Sequence, residues 1–300
     1  MSVYPSEDRR PPVHGREGRR LNSTPVLVAL LASQNNYSVM EFILIAIVAL
    51  FSAILTFFSG FGLGTILMVV FAIFFPVEIA IALTALVHLA NNIFKLTLIW
   101  KLINRKVFIK FAIPAMAAAF LGAVVLNVIS REIIIFIYNI GERTYHVTLL
   151  RLVISFLLII FAILELHKRF ENFSMGKKYL PLGGALSGFF GGLSGHQGAF
   201  RSMFLLRSGL NKEGFIATGI AAATLIDVSR VAVYGTSFFA DYIAMADTGT
   251  QLLLATAIIA AFAGSLMARK FLVKVKMKWV RKIVGYMILV LAILLGLGII

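Results

Sequence analysis

The stretch GGLSGHQGAFRSMFLLRSG, residues 191–209, places five glycines and two arginines inside a chain that is otherwise strongly apolar. Glycine permits tight turns and a close approach of the backbone to other groups, whereas a guanidinium is costly to bury in an apolar environment. A turn and a cation in the same apolar region therefore raise the question of what stabilises the charge.

The composition is that of a membrane protein. Of the 300 residues, 60% are hydrophobic and only 14% are charged, and the mean hydropathy is +0.95. Soluble domains carry about 25% charged residues. The charges are also clustered, which leaves uncharged runs long enough to cross a bilayer. We therefore expect a polytopic protein whose solvent is the lipid bilayer.

The net charge of +15 does not indicate nucleic-acid binding. Fifteen of the 28 Lys and Arg residues lie in three short connectors, 101–110, 168–178 and 269–282. Basic connectors are typical of the cytoplasmic side of a membrane protein. The chain has no cysteine and its five histidines are scattered, so we expect no metal, no cofactor and no enzymatic activity.

The first 39 residues form a polar tail that we predict to be disordered. Within it, residues 25–32 are apolar and fit either an interfacial stretch or the core of a signal peptide. Residues 40–300 form the predicted transmembrane permease domain.

Ten apolar segments follow the tail. Two of them, 65–75 and 199–208, are short, and each follows a glycine-rich turn, SGFGLG (59–64) or SGHQGA (194–199). The ten segments are 40–58, 65–75, 78–100, 108–129, 147–167, 179–195, 199–208, 213–235, 250–268 and 283–300.

The two halves of the chain are related. A shift of 135 positions without a gap pairs Ser59 with Ser194 and Gly60 with Gly195. The same shift pairs the polar and basic residues Asn92 and Lys95 with Asp227 and Arg230. We therefore predict two repeats, about 40–167 and 179–300.

The charge distribution predicts that these repeats are inverted. With the basic connectors in the cytoplasm, the acidic connector 236–250 lies outside. This arrangement requires five crossings in each repeat, and an odd number inverts one repeat relative to the other. The predicted fold is thus an all-α polytopic membrane protein with two inverted repeats of five segments each.

The short segments fit this topology only as parts of broken helices. Eleven helical residues span roughly 16 Å, about half of the hydrocarbon core. A glycine turn within the membrane, joining a long helix to a short one, resolves the conflict. Broken helices at matching positions in inverted halves are the best sequence indication of a transporter binding site.

The two turns supply the candidate substrate site. The first amides of the helix after the second turn are free to bind an anion, and Arg201 lies in the first turn of that helix. The alternatives are that Arg201 pairs with a carboxylate or extends to the interface, that the serines cap helices, and that the polar turn residues satisfy the local backbone. The candidate residues are Ser59, Gly60, Gly62, Gly64, Ser194, Gly195, His196, Gln197, Gly198 and Arg201, with Arg207 a weaker one.

Two charged residues at membrane depth are candidates for coupling. Asp227 and Arg230 are three positions apart on one helix face, which indicates a structural ion pair or a switch that takes up a proton. We expect Lys95 to extend to the interface and His88 to be a hydrogen-bonded core residue. Gly184, Gly188 and Gly192 recur every four residues and predict a close helix contact.

Two stretches resemble the paired signature regions of the sulfite exporter TauE/SafE family: SGFGLGTILMVVFAIFFPVEIAIALTALVHLANN (59–92) and LSGFFGGLSGHQGAFRSMFLLRSGLNKEGFIATGIAAATLIDVSR (186–230). The resemblance extends over about 40–300. It implies a permease for sulfite or organosulfonates, with the glycines of both turns at the site. His196 and Gln197 interrupt the second turn, which is usually richer in glycine in that family.

These observations favour a secondary transporter of a small oxyanion that works by alternating access, in a bacterial-type inner (plasma) membrane. Protons are a candidate coupling ion, with Asp227 or His196 as the carrier. A passive anion channel and a non-transporting membrane sensor or scaffold remain as alternatives. A membrane-embedded enzyme is the weakest alternative, because the chain shows no nucleophile motif.

Overall fold

The computed structural model describes residues 37–57, 62–130, 133–167, 175–237, 242, 248–271 and 277–300. The predicted polar tail, except for residues 37–39, lies outside these ranges. Two of the candidate site residues, Ser59 and Gly60, also lie outside them.

The described residues form ten α-helices, close to the ten predicted apolar segments. The first five are α1 (Val39–Thr56), α2 (Leu63–Phe74), α3 (Val77–Ile99), α4 (Arg105–Ile129) and α5 (Leu149–Leu166). The second five are α6 (Leu180–Ser194), α7 (Gly198–Leu205), α8 (Lys212–Gly235), α9 (Thr248–Phe271) and α10 (Met277–Gly296).

Five helical segments are long and apolar enough to cross a membrane: Val77–Leu102, Arg105–Ile129, Leu149–Leu166, Lys212–Gly235 and Thr248–Lys270. The segments that contain α3 and α8 are the most buried of the five. The other three present exposed apolar side chains, as Ile113 and Phe120 do on α4. The protein is therefore a helical, integral membrane protein with α3 and α8 near its centre.

A β-hairpin between α4 and α5 departs from the predicted all-α fold. Strands β1 (Ile134–Ile140) and β2 (Arg143–Thr148) pair antiparallel around a turn in which Gly141 has a φ of 61°. The sequence of β1, IIFIYNI, is rich in β-branched and aromatic residues, which favour strands. The hydroxyl of Tyr138 donates a hydrogen bond to the Leu297 carbonyl, so the hairpin lies beside the end of α10.

The predicted glycine seam on α6 is confirmed, and it packs against α4. A Cβ atom built on Gly184, Gly188 or Gly192 would lie 2.0–2.1 Å from a backbone oxygen of α4. The three oxygens belong to Phe111, Ala115 and Ala119. Since no side chain larger than hydrogen fits there, the seam holds the two backbones in direct contact.

Several of the other helix contacts cross between the two halves of the chain. Helix α1 packs on α9, α5 packs on α10, and α3 packs on α8. The short helix α7 packs mainly on α6 and also contacts α8. The polar residues of α3, α7 and α8 are thereby brought into one buried region.

Candidate functional site

The bend between α6 and α7 contains the glycine turn predicted from the second half. Helix α6 ends at Ser194, Gly195 adopts a left-handed φ of 81°, and α7 begins at Gly198. This φ is strained for a residue that carries a Cβ atom, and a Cβ atom on Gly195 would lie 2.9 Å from Nη1 of Arg230. The bend therefore requires glycine for its backbone and for the guanidinium packed against it.

His196 lies in the bend, and one of its ring nitrogens is unpartnered within the described part of the chain. Its Nδ1 lies 2.8 Å from the carbonyl oxygen of Ser194, and its ring stacks on Phe161 with centroids 5.3 Å apart. Its Nε2 is buried and has no hydrogen-bond partner among the described residues. Because Nδ1 faces an acceptor, Nδ1 carries the proton of the neutral ring and Nε2 is an acceptor.

A small cleft lies beside this bend. Its walls come from α2, α5, α7 and α10, and therefore from both halves of the chain. The amides of the first turn of α7 have no intrahelical partner, and two residues of that turn line the cleft. The lining residues are Thr65, Phe161, Glu165, His196, Gly198, Ala199, Val284 and Ile288.

Arg201 is buried, with 3% of its surface exposed. Its NH1 donates a hydrogen bond to Oε1 of Gln197 at 3.1 Å. Within the described part of the chain, no carboxylate lies within 4.0 Å of its guanidinium. The predicted alternatives, a carboxylate pair or extension to the interface, do not describe this geometry. Arg207 is exposed beyond the end of α7 and does not join this region.

Asp227 is the centre of a buried hydrogen-bond network. Its Oδ1 lies 2.8 Å from NH2 of Arg230 and accepts a hydrogen bond from Nε2 of Gln197 at 3.1 Å. Its Oδ2 lies 2.6 Å from Nδ1 of His88 and accepts a hydrogen bond from Nδ2 of Asn92 at 3.0 Å. The predicted ion pair is thus present, and two residues of α3 contact the other oxygen of the carboxylate.

The network joins the two halves of the chain through His88 and Asn92, which the sequence did not identify as site residues. His88 was predicted to be a hydrogen-bonded core residue, which is confirmed, but its partner lies in the other half. His88 and Asn92 are four residues apart, so both lie on the face of α3 that contacts α8. A polar pair at this spacing on an apolar helix is the pattern that could have identified them.

Gly64, near the start of α2, lies next to the same network. Gly62 has a φ of 108° and directly precedes α2. A Cβ atom on Gly64 would lie 3.6 Å from Cδ2 of His88 and 3.7 Å from Cγ2 of Thr84. The hydroxyl of Thr84 is buried without a hydrogen-bond partner among the described residues. His88 therefore connects the residues after the first turn to Asp227.

The expectation that Lys95 extends to the interface is wrong. Only 4% of its surface is exposed, and Nζ lies 5.5 Å above the ring of Phe57. With the Asn91 amide oriented to satisfy its neighbours, its oxygen accepts a hydrogen bond from Nζ at 3.1 Å. Lys95 is two helical turns beyond His88, so it shares the buried face of α3 instead of pointing towards exposed Trp100.

The side chains of two candidate residues form hydrogen bonds within the protein. The hydroxyl of Ser194 donates a hydrogen bond to the carbonyl of Phe190 at 3.1 Å. Gln197 uses its amide oxygen for Arg201 and its amide nitrogen for Asp227. The side chain of Gln197 therefore bridges Arg201 and the carboxylate of Asp227.

Apolar helices, glycine bends and a buried polar centre shared by both halves define the class of polytopic membrane transport proteins. A family model described as "Sulfite exporter TauE/SafE" matches residues 45–295. The chain belongs to the sulfite exporter TauE/SafE family, and the resemblance seen in the sequence is confirmed. No curated protein and no solved structure gave a match.

Proposed function

We propose that this protein is a secondary transporter that moves a small oxyanion, such as sulfite or an organosulfonate, across a bacterial-type inner membrane. One observation carries the proposal: Arg201 is buried at the start of α7 and, among the described residues, has no carboxylate partner. An uncompensated guanidinium at membrane depth is costly, and a bound anion would offset that cost.

The start of α7, where Arg201 lies, provides groups that would bind an oxyanion. The N-terminal end of α7 carries the positive end of the helix dipole and amides without intrahelical partners. Gly198 and Ala199 from this turn line the cleft, and their lack of bulky side chains lets a ligand approach the backbone. We place the anion between these amides and the guanidinium fork, which suits planar and pyramidal oxyanions.

Gly62 and Gly64, together with Gly60 outside the described residues, are the proposed contribution of the first turn to the site. Gly64 lies against His88, which binds Asp227, and Asp227 binds Gln197 of the second turn. This chain of contacts supports a single site formed by both glycine turns. Gly195 shapes the bend of the second turn, and Ser59 and Ser194 stay as proposed members of the site.

We propose that His196, and not Asp227, carries the coupling proton. Asp227 is surrounded by four donor side chains, so a proton on its carboxylate would disrupt the pair with Arg230. Nε2 of His196 is an acceptor without a partner among the described residues, at the wall of the cleft. A proton taken up at Nε2 would make His196 a positively charged hydrogen-bond donor to the anion. This supports transport of a proton together with the anion.

Alternating access requires two halves that move against each other, and the helix arrangement supports them. Helices α2 and α7 begin at Leu63 and Gly198, and α3 and α8 begin at Val77 and Lys212. Both pairs of starts differ by the 135 positions found in the sequence. The packing is reciprocal as well: α4 packs on α6 as their counterparts α9 and α1 pack on each other. We propose that the halves are inverted repeats that rock around the site.

Transport by reconstituted Arg201→Gln protein tests the proposal. The change removes the charge and keeps a polar side chain, so we expect sulfite uptake into proteoliposomes to fall at least tenfold. Arg207→Gln is the matched control, because Arg207 is exposed, and it should stay within twofold of wild type. Wild-type rates in Arg201→Gln would remove the proposed site.

The same proteoliposomes separate a transporter from a channel. A secondary transporter driven by protons accumulates sulfite above the external concentration, and an uncoupler abolishes this accumulation. Uptake that only equilibrates, with or without the uncoupler, would establish a passive channel instead.

A further inference from the structure

His196 determines one property of a ligand in the cleft beside the bend. Its Nδ1 lies 2.8 Å from the carbonyl oxygen of Ser194, and a carbonyl oxygen can only accept a hydrogen bond. The proton of the neutral ring therefore lies on Nδ1, and Nε2 is an acceptor. Nε2 is buried and has no hydrogen-bond partner among the described residues. A ligand that contacts Nε2 must therefore supply a hydrogen-bond donor.

The ring of His196 is held in its orientation at the wall of the cleft. The ring of Phe161 stacks on it with centroids 5.3 Å apart and 20° between the two planes, and the contact of Nδ1 with Ser194 fixes its other edge. Only 5% of the surface of His196 is exposed. Because a buried acceptor without a partner is costly, the donor for Nε2 has to come from within the cleft.

The start of α7 makes the opposite demand on the same ligand. Gly198 and Ala199 line the cleft together with His196, and the amides of the first helical turn have no intrahelical partner. These N–H groups are donors, so they bind oxygen atoms that accept, and the positive end of the helix dipole favours a negative charge there. One small ligand between these groups must accept hydrogen bonds on one side and donate on the other.

The charge of the cleft lining favours a ligand with a single negative charge. Glu165 is 7% exposed and is the acidic residue among the described residues that line the cleft. A carboxylate repels a dianion about twice as strongly as a monoanion at the same distance. Arg201 does not line the cleft, and Arg230, behind the bend, is paired with Asp227. A monoanion that also carries an acidic hydrogen meets all of these requirements.

We infer that the substrate is a hydrogen oxyanion, a monoanion with one acidic O–H group, and that this O–H group donates a hydrogen bond to Nε2 of His196. The inference rests on the proposed function and deepens it by naming the substrate class of the same site. Hydrogensulfite, HOSO₂⁻, belongs to this class. A sulfonate group has no O–H at neutral pH, so organosulfonates are disfavoured.

The same hydrogen bond accounts for the coupling proton. The proton can move along the bond from the ligand oxygen to the lone pair of Nε2, and the electron pair of the broken O–H bond then stays on the oxygen. The total charge of the ligand and His196 does not change in this step. When the anion leaves, the proton returns to it. His196 thus receives its proton from the substrate and is a specificity-determining residue.

A matched pair of ligands tests this inference. Methanesulfinate replaces the O–H group of hydrogensulfite by a methyl group and keeps the single charge and the SO₂ group. Binding to the purified full chain in nanodiscs is measured by calorimetry at a slightly acidic pH, where sulfite is mostly hydrogensulfite. We expect wild type to bind hydrogensulfite at least tenfold more tightly, because a site built for a hydroxyl group rejects the analogue that lacks it. This comparison needs no variant.

Substitution of His196 then identifies the residue responsible. His196→Phe keeps an aromatic ring beside Phe161 and removes Nε2, so hydrogensulfite should bind at least tenfold more weakly. Methanesulfinate should bind within threefold of its wild-type affinity, and the preference for hydrogensulfite should disappear. His146→Phe is the matched control, since His146 is exposed on the hairpin and should change neither affinity.

The outcomes distinguish this inference from the proposed function. Absence of binding by every oxyanion, sulfite at alkaline pH included, would overturn both. Tighter binding of methanesulfinate, tighter binding of sulfite at alkaline pH, where it is a dianion, or a preference that survives His196→Phe would overturn the inference alone. Equal affinities for the matched pair would also overturn it, because a retained water molecule would then be the donor to Nε2.

Discussion

Asp227 has no exposed surface, and side chains from α8, from α3 and from the bend contact its carboxylate. Arg230 lies one helical turn away on α8, His88 and Asn92 reach across from α3, and Gln197 extends from the bend. Removal of one partner from a buried ion pair leaves an uncompensated charge, which is more damaging than removal of both. The carboxylate is therefore expected to support the site rather than to release its charge.

Asp227→Asn should destabilise the protein by about 3–5 kcal/mol, because Arg230 would stay charged and buried without its carboxylate. Unfolding by sodium dodecyl sulfate in mixed micelles measures the loss. The double variant Asp227→Asn/Arg230→Gln should recover part of this stability, since it buries no unpaired charge. A single variant as stable as wild type would contradict the structural role of the pair.

At the scale of elements, the backbones of α4 and α6 are in direct contact. Three glycines of α6 meet three carbonyl oxygens of α4. Helix α6 leads directly into Gly195 and the bend, so this contact anchors the rigid side of the proposed site. The short α7 on the other side of the bend has only eight residues.

Gly188→Ala should destabilise the protein by about 1–3 kcal/mol, even though alanine favours a helix over glycine by about 1 kcal/mol. The new Cβ would lie 2.0 Å from the Ala115 oxygen, so α6 would have to move away from α4. Thermal unfolding in detergent measures the change.

Gly235→Ala is the matched control, because Gly235 is also helical and a Cβ there would meet nothing within 4 Å. It should be neutral or slightly stabilising. Equal melting temperatures for the two variants would show that the seam does not require glycine at position 188.

For the whole molecule, the proposed inverted repeats explain why the basic connectors lie on one side of the membrane. Five helices in each half reverse the orientation of the second half, and the basic connectors then share one side. The hairpin of β1 and β2, whose isoleucine and phenylalanine side chains are exposed, would lie on the opposite side.

Single-cysteine labelling tests this topology, and the natural chain has no cysteine to interfere. An impermeant maleimide should label Glu142→Cys, at the tip of the hairpin, in intact cells. Lys106→Cys and Lys177→Cys should react only after permeabilisation. All three positions are exposed in the structure. Labelling of all three from the same side would exclude the inverted arrangement.

Much of the helix pattern was predictable, because long apolar runs and glycine breaks are local properties of the chain. The predicted short segment at 199–208 differs from α7 by a few residues at its end, and the seam of α6 was correct. The β-hairpin was missed, because an apolar run of seven residues has no periodicity that separates a strand from a buried helix.

The candidate site was predictable only in part. Arg201 and the bend residues were visible as polar or glycine interruptions of apolar sequence. Lys95 was misplaced, because a lysine near a helix end reaches the interface or the interior depending on its helix face and its neighbours. His88 was assigned to the core correctly, but its partner is 139 positions away.

The sequence by itself determined that this chain lies in a membrane, where its helices break, and that its two halves share a pattern, since these follow from local composition and spacing. Only the tertiary structure decided which charges are paired. The packing of α3 on α8 brings His88 and Asn92 to Asp227 and leaves Lys95 and Arg201 without carboxylates in the described residues. Charge compensation depends on distances of a few ångströms between residues far apart in the chain, which spacing along one helix cannot specify.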